Sequence, residues 1–272
     1  MRKFFRIYKP FTHAGILLAA QYRLNFIFFI LGDILACFIN YFLWIAVFSA
    51  NGTGEFMGFT QESMVMYVFL SFLTTFLVYS DVAYPVGEEI RDGSIVMRMI
   101  KPIRFDLSLL FQELGDSAVT MGFVFIPILL GIEIYRFVAT GAICFNIVNF
   151  LLYFLSVLFG YLINFYFNIC YGYSAFFLKY IWGSNMLKNT IVGFLSGSIL
   201  PIAFMPGPMA AILNFLPFAS LCYNPVMIYL GMYSPVQILW SFALQIFWLL
   251  FFYFLQKVIW NACVKRLSSQ GG

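Results

Sequence analysis

The sequence predicts an all-α membrane protein with six transmembrane helices, and three observations predict it. The 272-residue chain is 63% hydrophobic and 10% charged, against roughly 45–50% and about 25% in a soluble domain. Its apolar residues form long runs without the in/out alternation of barrel strands. Those runs approach or exceed the ~20 residues a helix needs to cross a hydrocarbon core about 30 Å thick. Only helices and closed barrels satisfy their backbone in lipid, so helices are the reading.

The elements follow in order. Residues 1–24 are basic and aromatic, with Pro10 as an interruption, and predict a helix lying in the membrane interface. Spans are expected over 25–48, 63–84, 107–134, 144–178, 187–204 and 235–260. A Gly-rich polar turn separates the first two, and Pro85 is expected to stop the second. The fourth is longer than one crossing needs and is expected to tilt or to continue past the interface. Residues 205–225 are rich in proline, too broken for a straight crossing and too apolar for water, so they predict short re-entrant outer helices.

Charge sets the expected orientation. With six spans both termini lie on one side. That side collects every Lys and Arg except Arg136: Arg2, Lys3, Arg6, Lys9 and Arg23; Arg91, Arg98, Lys101 and Arg104; Lys179 and Lys188; Lys257, Lys265 and Arg266. Positive charge marks the cytoplasmic side, so both termini are expected there. The net charge of +4 is thereby a matter of topology, and no nucleic-acid partner is expected. The five cysteines form no CxxC pair and no metal spacing, and read as small buried hydrophobes. No cleavable leader is expected.

The segment 86–105 breaks the apolar pattern. Between Gly87 and Asp106 stand Glu88, Glu89, Arg91, Asp92, Arg98, Lys101, Arg104 and Asp106. Acids precede bases, as helix polarity favours, and Gly93 is placed to break or cap a short helix. Ile95, Val96, Met97, Met99 and Ile100 then lead to a turn at Pro102. Apolar side chains among charges mark a surface made for a partner groove.

The stretches YRLNFIFFILGDILACFINYFLW, EEIRDGSIVMRMIKPIRFDLSLLFQELG, LPFASLCYNPVMIYLG and VKRLSSQGG, in that order, resemble the permease subunits of bacterial ABC type-2 transporters. The resemblance covers nearly the whole chain and is closest to a six-span branch ending in a basic stretch and Gly-Gly. It implies a single transmembrane domain over 1–272, with 1–24 as a connecting helix and 86–105 as a helix that couples to a separate ABC ATPase. The coupling residues it implies are Glu88, Glu89, Arg91, Asp92, Gly93, Ile95, Met99, Lys101 and Pro102. It also implies a second permease half, a heterodimer being favoured over a homodimer, and export of an apolar or amphipathic drug, peptide or lipid-like molecule across the bacterial cytoplasmic membrane. The chain has no GxxxxGK[ST] loop. It is therefore expected to be non-catalytic and to bind no cofactor, with ATP and Mg on the ATPase.

Ionisable groups in lipid cost several kcal/mol and should face protein or water. Asp33 and Asn40 on the first span, with Asn164, Tyr166 and Asn168 on the fourth, are the residues expected along a translocation path. Glu113 and Asp116 share a helix face and read as anchors, with Arg23 as one possible partner, while Asp81 is placed at the inner interface. The alternative function is an ion-coupled secondary transporter using such carboxylates. That class often shows inverted repeats, and no internal repeat is evident. A membrane enzyme is the third reading, but the single histidine, His13, has no carboxylate or cysteine near it in sequence.

Overall fold

The structure, a computed structural model, describes residues 2–21, 23–51, 55–140, 145–178 and 180–270. The side chains of Arg2, Lys3, Arg23, Lys265 and Arg266, together with Lys179 and Cys144, lie outside the described set, and with them part of the expected basic side and the Arg23 pairing. The chain is an all-α membrane protein. Four of its described helical stretches are long and apolar enough to cross a bilayer, over Ile30–Ala50, Gln61–Arg91, Ile147–Phe176 and Pro235–Val264, the second of them broken at 79–82.

Helix α1 (Arg2–Gln21) runs through Pro10, where the sequence reading places an interruption. Its buried stripe is Tyr8 and Gly15, with Thr12 half-buried between them. That is the i, i+4, i+7 spacing of one helix face. Helix α2 (Arg23–Asn51) follows. A hairpin of β1 (Glu55–Phe56) and β2 (Phe59–Thr60) then turns on Met57 and Gly58, both at positive φ. The Thr60 side chain caps α3 (Gln61–Val78) by accepting from the Ser63 N–H at 3.2 Å.

Helix α3 ends at Val78, six residues short of the expected end at Tyr84. Tyr84 and Pro85 belong to a separate helix, α4 (Ala83–Arg91). Pro85 therefore begins an element rather than stopping one, since a first-turn N–H has no helical partner to lose. Asp92 and Gly93 separate α4 from α5 (Ile95–Met99). Helices α6 (Phe105–Thr120) and α7 (Ile126–Thr140) are joined by a π-type turn over Met121–Phe125, so the chain is helical across the expected third span.

Helix α8 (Ile147–Gly172), capped by Asn146 and extended by a 3₁₀ turn to Phe176, is the hub. It packs against α3 on one side and against α11 (Tyr223–Tyr229) and α12 (Pro235–Gln270) on another. Buried polar side chains lock these contacts. Gln245 donates to the Ser156 hydroxyl at 2.8 Å, and Thr74 meets the Tyr153 hydroxyl at 3.0 Å. An interhelical hydrogen bond in lipid is worth about 0.6 kcal/mol. Gly160 lets the backbone at Ser220 approach.

Helix α9 (Trp182–Leu195) has 14 residues, about 21 Å at 1.5 Å per residue. The expected fifth span at 187–204 is thus no single straight helix. The chain turns at Gly197 (φ 81°), whose carbonyl accepts from the Tyr67 hydroxyl at 2.6 Å, and a 3₁₀ turn follows at Ile202–Phe204. Helix α10 (Gly207–Phe215), a 3₁₀ turn at Pro217–Leu221 and α11 form the short broken elements of the proline-rich stretch.

Candidate functional site

Two features concentrate the chemistry. The first is the pair α4–α5. The C-cap residue of α4, Asp92, accepts at Oδ1 from the Ser94 N–H at 2.9 Å. Hydrogen bonds from the Ser94 side chain and backbone hold its carboxyl below the usual range. Gly93 has φ 78°, the left-handed region that favours glycine. These two residues turn the chain so that α5 folds back toward α4. A salt bridge between Arg98 Nη2 and Glu89 Oε1 at 2.6 Å then ties the two helices.

The other predicted residues of this segment divide by exposure. Glu88 pairs with Arg91, whose guanidinium also sits 5.3 Å from the Tyr180 ring centre. Lys101 and Pro102 are exposed. Ile95, predicted on the partner-facing surface, is fully buried, and Met99 is half-buried. That is a correction for Ile95, which anchors α5 to the body instead of facing outward. The apolar side chains that do face outward are Val96, Met97 and Ile100, at 45%, 66% and 72% exposure. A helix of five residues is too short for its pattern to reveal which apolar residues point in.

Gly87 fixes α4 against the body. A Cβ there would lie 2.3 Å from Ile181 Cδ1.

The second feature is a polar cleft where α3 breaks. Residues 79–82 leave helical backbone groups open, and side chains fill them. Asn164 Nδ2 donates to the Val78 carbonyl at 2.8 Å. Asn168 Nδ2 donates to the Asn164 carbonyl and to its Oδ1, both at 2.9 Å. Lys188 Nζ donates to Asn168 Oδ1 and lies 4.7 Å from the Tyr171 ring centre. Ser80 donates to Glu113 Oε2 at 2.7 Å, and Asn185 reaches Asp81 Oδ1 at 3.5 Å. A cavity of about 200 Å³ opens here, lined by Ser80, Asn164, Asn168, Asn189, Ser196 and Ser198 among others.

Of the residues predicted along a path, Asn164 and Asn168 meet in this cleft and the others do not. Tyr166 is buried on another side of α8, its ring 5.4 Å from that of Tyr253 on α12. Two residues along a helix turn the side chain about 200°, so Tyr166 cannot share the asparagine face. Asp33 is exposed and Asn40 half-buried on α2, and neither lines the cleft. Sequence reading missed Lys188 as a cleft residue, counting it only among the basic loops. Its spacing from Asn185 on one helix face was the available signal.

A family profile described as ABC-2 family transporter protein matches residues 34–271. No curated protein matches the chain.

Proposed function

The chain belongs to the ABC-2 transporter family as a membrane permease subunit, and on that premise we propose that it is half of an ATP-driven exporter for an apolar or amphipathic substrate. In this reading α4 and α5 dock in a cleft on a separate ABC ATPase. That ATPase carries ATP and Mg, and this chain carries out no catalysis. The observation that carries the proposal is the outward set Val96, Met97 and Ile100, flanked by Arg91, Asp92 and Lys101. Three large apolar side chains beside charges, on a helix pair anchored from behind by Ile95, suit a partner's groove better than lipid.

The six-span topology, with both termini in the bacterial cytoplasm, belongs to the same proposal. The bent path 105–140 and α9 with its following turn supply the crossings beyond the four long helices. The α2 face holding Asp33 and Asn40, seven residues and two turns apart, would meet the second permease half, a different chain in preference to a copy. A carboxylate on a spanning helix needs a protein or water neighbour, which a second subunit provides.

Closing the ATPase dimer would push α4–α5. The Glu89–Arg98 bridge makes the two helices move together, and the break at 79–82 lets α4 move without dragging α3 rigidly. The polar cleft beside that break would then rearrange as the path opens outward.

The test is co-purification and ATPase stimulation with the co-encoded ATPase. Met97→Asp with Ile100→Asp should abolish docking and stimulation while leaving the permease folded. The double swap Arg91→Glu with Asp92→Arg should uncouple transport from hydrolysis. If both variants still stimulate and transport at the unmodified rate, α4–α5 is not the docking element.

A further inference from the structure

We propose that the cavity between the α5–α6 link and the end of α12 binds the phosphate headgroup of an anionic lipid. The cavity measures about 330 Å³ and is lined by Arg98, Arg104 and Lys257, with Asp106 as the acid among them. The cations outnumber their acids. Arg98 is engaged by Glu89. Arg104 is engaged by Asp106, through Nη2 to Oδ2 at 2.5 Å and Nε to Oδ1 at 3.2 Å. Among the described residues no carboxylate pairs with Lys257. Its Nζ donates to the Tyr253 hydroxyl at 2.7 Å and lies 3.9 Å from that ring's centre. Arg104 Nη2 reaches the same hydroxyl at 3.4 Å. Two like charges thus converge on one neutral oxygen, an arrangement that a phosphate placed between them would relieve.

The depth suits a headgroup. Lys257 lies 22 residues beyond Pro235, where α12 begins, or roughly 33 Å along the helix axis, close to the thickness of a hydrocarbon core. Trp260 sits one turn further on, its ring stacked on Phe105 at 4.8 Å and 10°. Aromatic rings at this level mark the membrane interface. Basic cavities between spanning helices at one bilayer face are where acidic headgroups are held. The apolar wall favours a phosphate carrying a glycerol backbone over free phosphate. Such a lipid would bridge Arg98 of α5 and Lys257 of α12, joining the outward helix pair to the longest span.

The experiment is native mass spectrometry of the intact purified complex, exchanged into phosphatidylglycerol or phosphatidylcholine. It reads bound lipid without nucleotide, so its failure leaves the permease reading standing, and loss of ATPase docking leaves the lipid site standing. Phosphatidylglycerol should be retained over phosphatidylcholine, and Lys257→Gln should reduce that retention about fivefold, as expected for one basic residue at an acidic surface. Lys257→Arg should keep it. Lys9→Gln, an exposed cation on the interfacial helix α1, should lower it less than Lys257→Gln does. Equal retention of the two lipids, or an equal loss in K9Q, overturns the site. Complete displacement by millimolar inorganic phosphate overturns the lipid as its ligand. Should K257Q not assemble, a photoreactive phosphatidylglycerol on the unmodified complex decides: labelling of 98–106 or 256–264 supports the site, and labelling confined to other segments refutes it.

Discussion

Gly15 and Gly115 hold α1 and α6 so close that neither position has room for a side chain. A Cβ on Gly15 would lie 2.0 Å from the Gln112 carbonyl oxygen, and one on Gly115 would lie 2.1 Å from that of Thr12. The Tyr8 and Phe111 rings stack beside this crossing, with centres 5.1 Å apart. Small residues that bring helix backbones together are the usual packing device where the hydrophobic effect cannot drive association. Helix α1 is therefore clamped to α6, and its exposed Phe5 and Leu17 point away from the clamp.

Gly15→Ala and Gly115→Ala should each destabilise the protein, because the obstacle is backbone and cannot rotate aside. Overpacking of this kind costs about 1–3 kcal/mol. Gly32→Ala on α2 has nothing within 4 Å of the new Cβ and should gain roughly 0.5–1 kcal/mol from helix propensity. Thermal unfolding in detergent reads all three, and the opposite signs separate a packing effect from a general intolerance of alanine.

Gly93→Ala should disturb the α4–α5 turn by strain alone, since open space surrounds the position. The left-handed conformation costs an alanine roughly 1–2 kcal/mol, and Gly93→Asn should cost less. Stimulation of the ATPase should fall in the order Gly, Asn, Ala. The neighbouring Asp92 adds a pH dependence. Its folded pKa is depressed, so its contribution to the turn is present above the unfolded carboxylate pKa of about 3.9 and is lost as pH falls through the lower folded value. Limited proteolysis between Arg91 and Arg98 should stay slow at pH 5 and accelerate only under strong acid. Asp92→Asn, which keeps an acceptor oxygen, should flatten that dependence.

The four long apolar stretches and the charged segment were readable because long apolar runs and a sudden cluster of charges are properties of composition. The break in α3 was not. Tyr79, Ser80 and Asp81 stand inside a run that reads as membrane, and Pro85 looks like a stop until the first turn of α4 accommodates it. Asn164 and Asn168 were readable as polar groups that lipid must not see. Tyr166 was grouped with them by nearness in sequence, although helical rotation turns it to α12. Ile95 and Met97 differ by burial alone, which only the tertiary contacts of α5 decide. The Gly15–Gly115 approach joins residues 100 apart, and no local pattern announces it.

The Glu89–Arg98 bridge should behave as a coupled pair. Each partner keeps about a fifth to a quarter of its side chain exposed, so solvent screens the interaction, and the coupling expected in a double-mutant cycle is about 0.5–1 kcal/mol. Glu89→Gln and Arg98→Gln should each reduce ATPase stimulation. The reversal Glu89→Arg with Arg98→Glu should restore most of it. Raising salt should weaken the unmodified protein's stimulation more than that of Arg98→Gln.

Asn168 and Lys188 should show the strongest dependence of one residue on the other within the cleft. Asn168 is buried, and its Oδ1 accepts from Lys188. Asn168→Leu removes that hydrogen-bond acceptor and leaves the ammonium with the more distant Asp81 carboxylate and the Tyr171 ring as neighbours. Leaving a buried polar group without its partner costs about 1–3 kcal/mol, and more when it is charged. Lys188→Met alone should cost less, because a carboxamide oxygen is cheaper to strand than a cation. The double variant removes both sides of the contact and should recover much of the single-variant loss in unfolding midpoint. If the cleft also carries substrate, the double variant will be stable yet transport-deficient. Full transport in that stable double variant would exclude these two residues from the path and leave them the structural task of closing the broken end of α3.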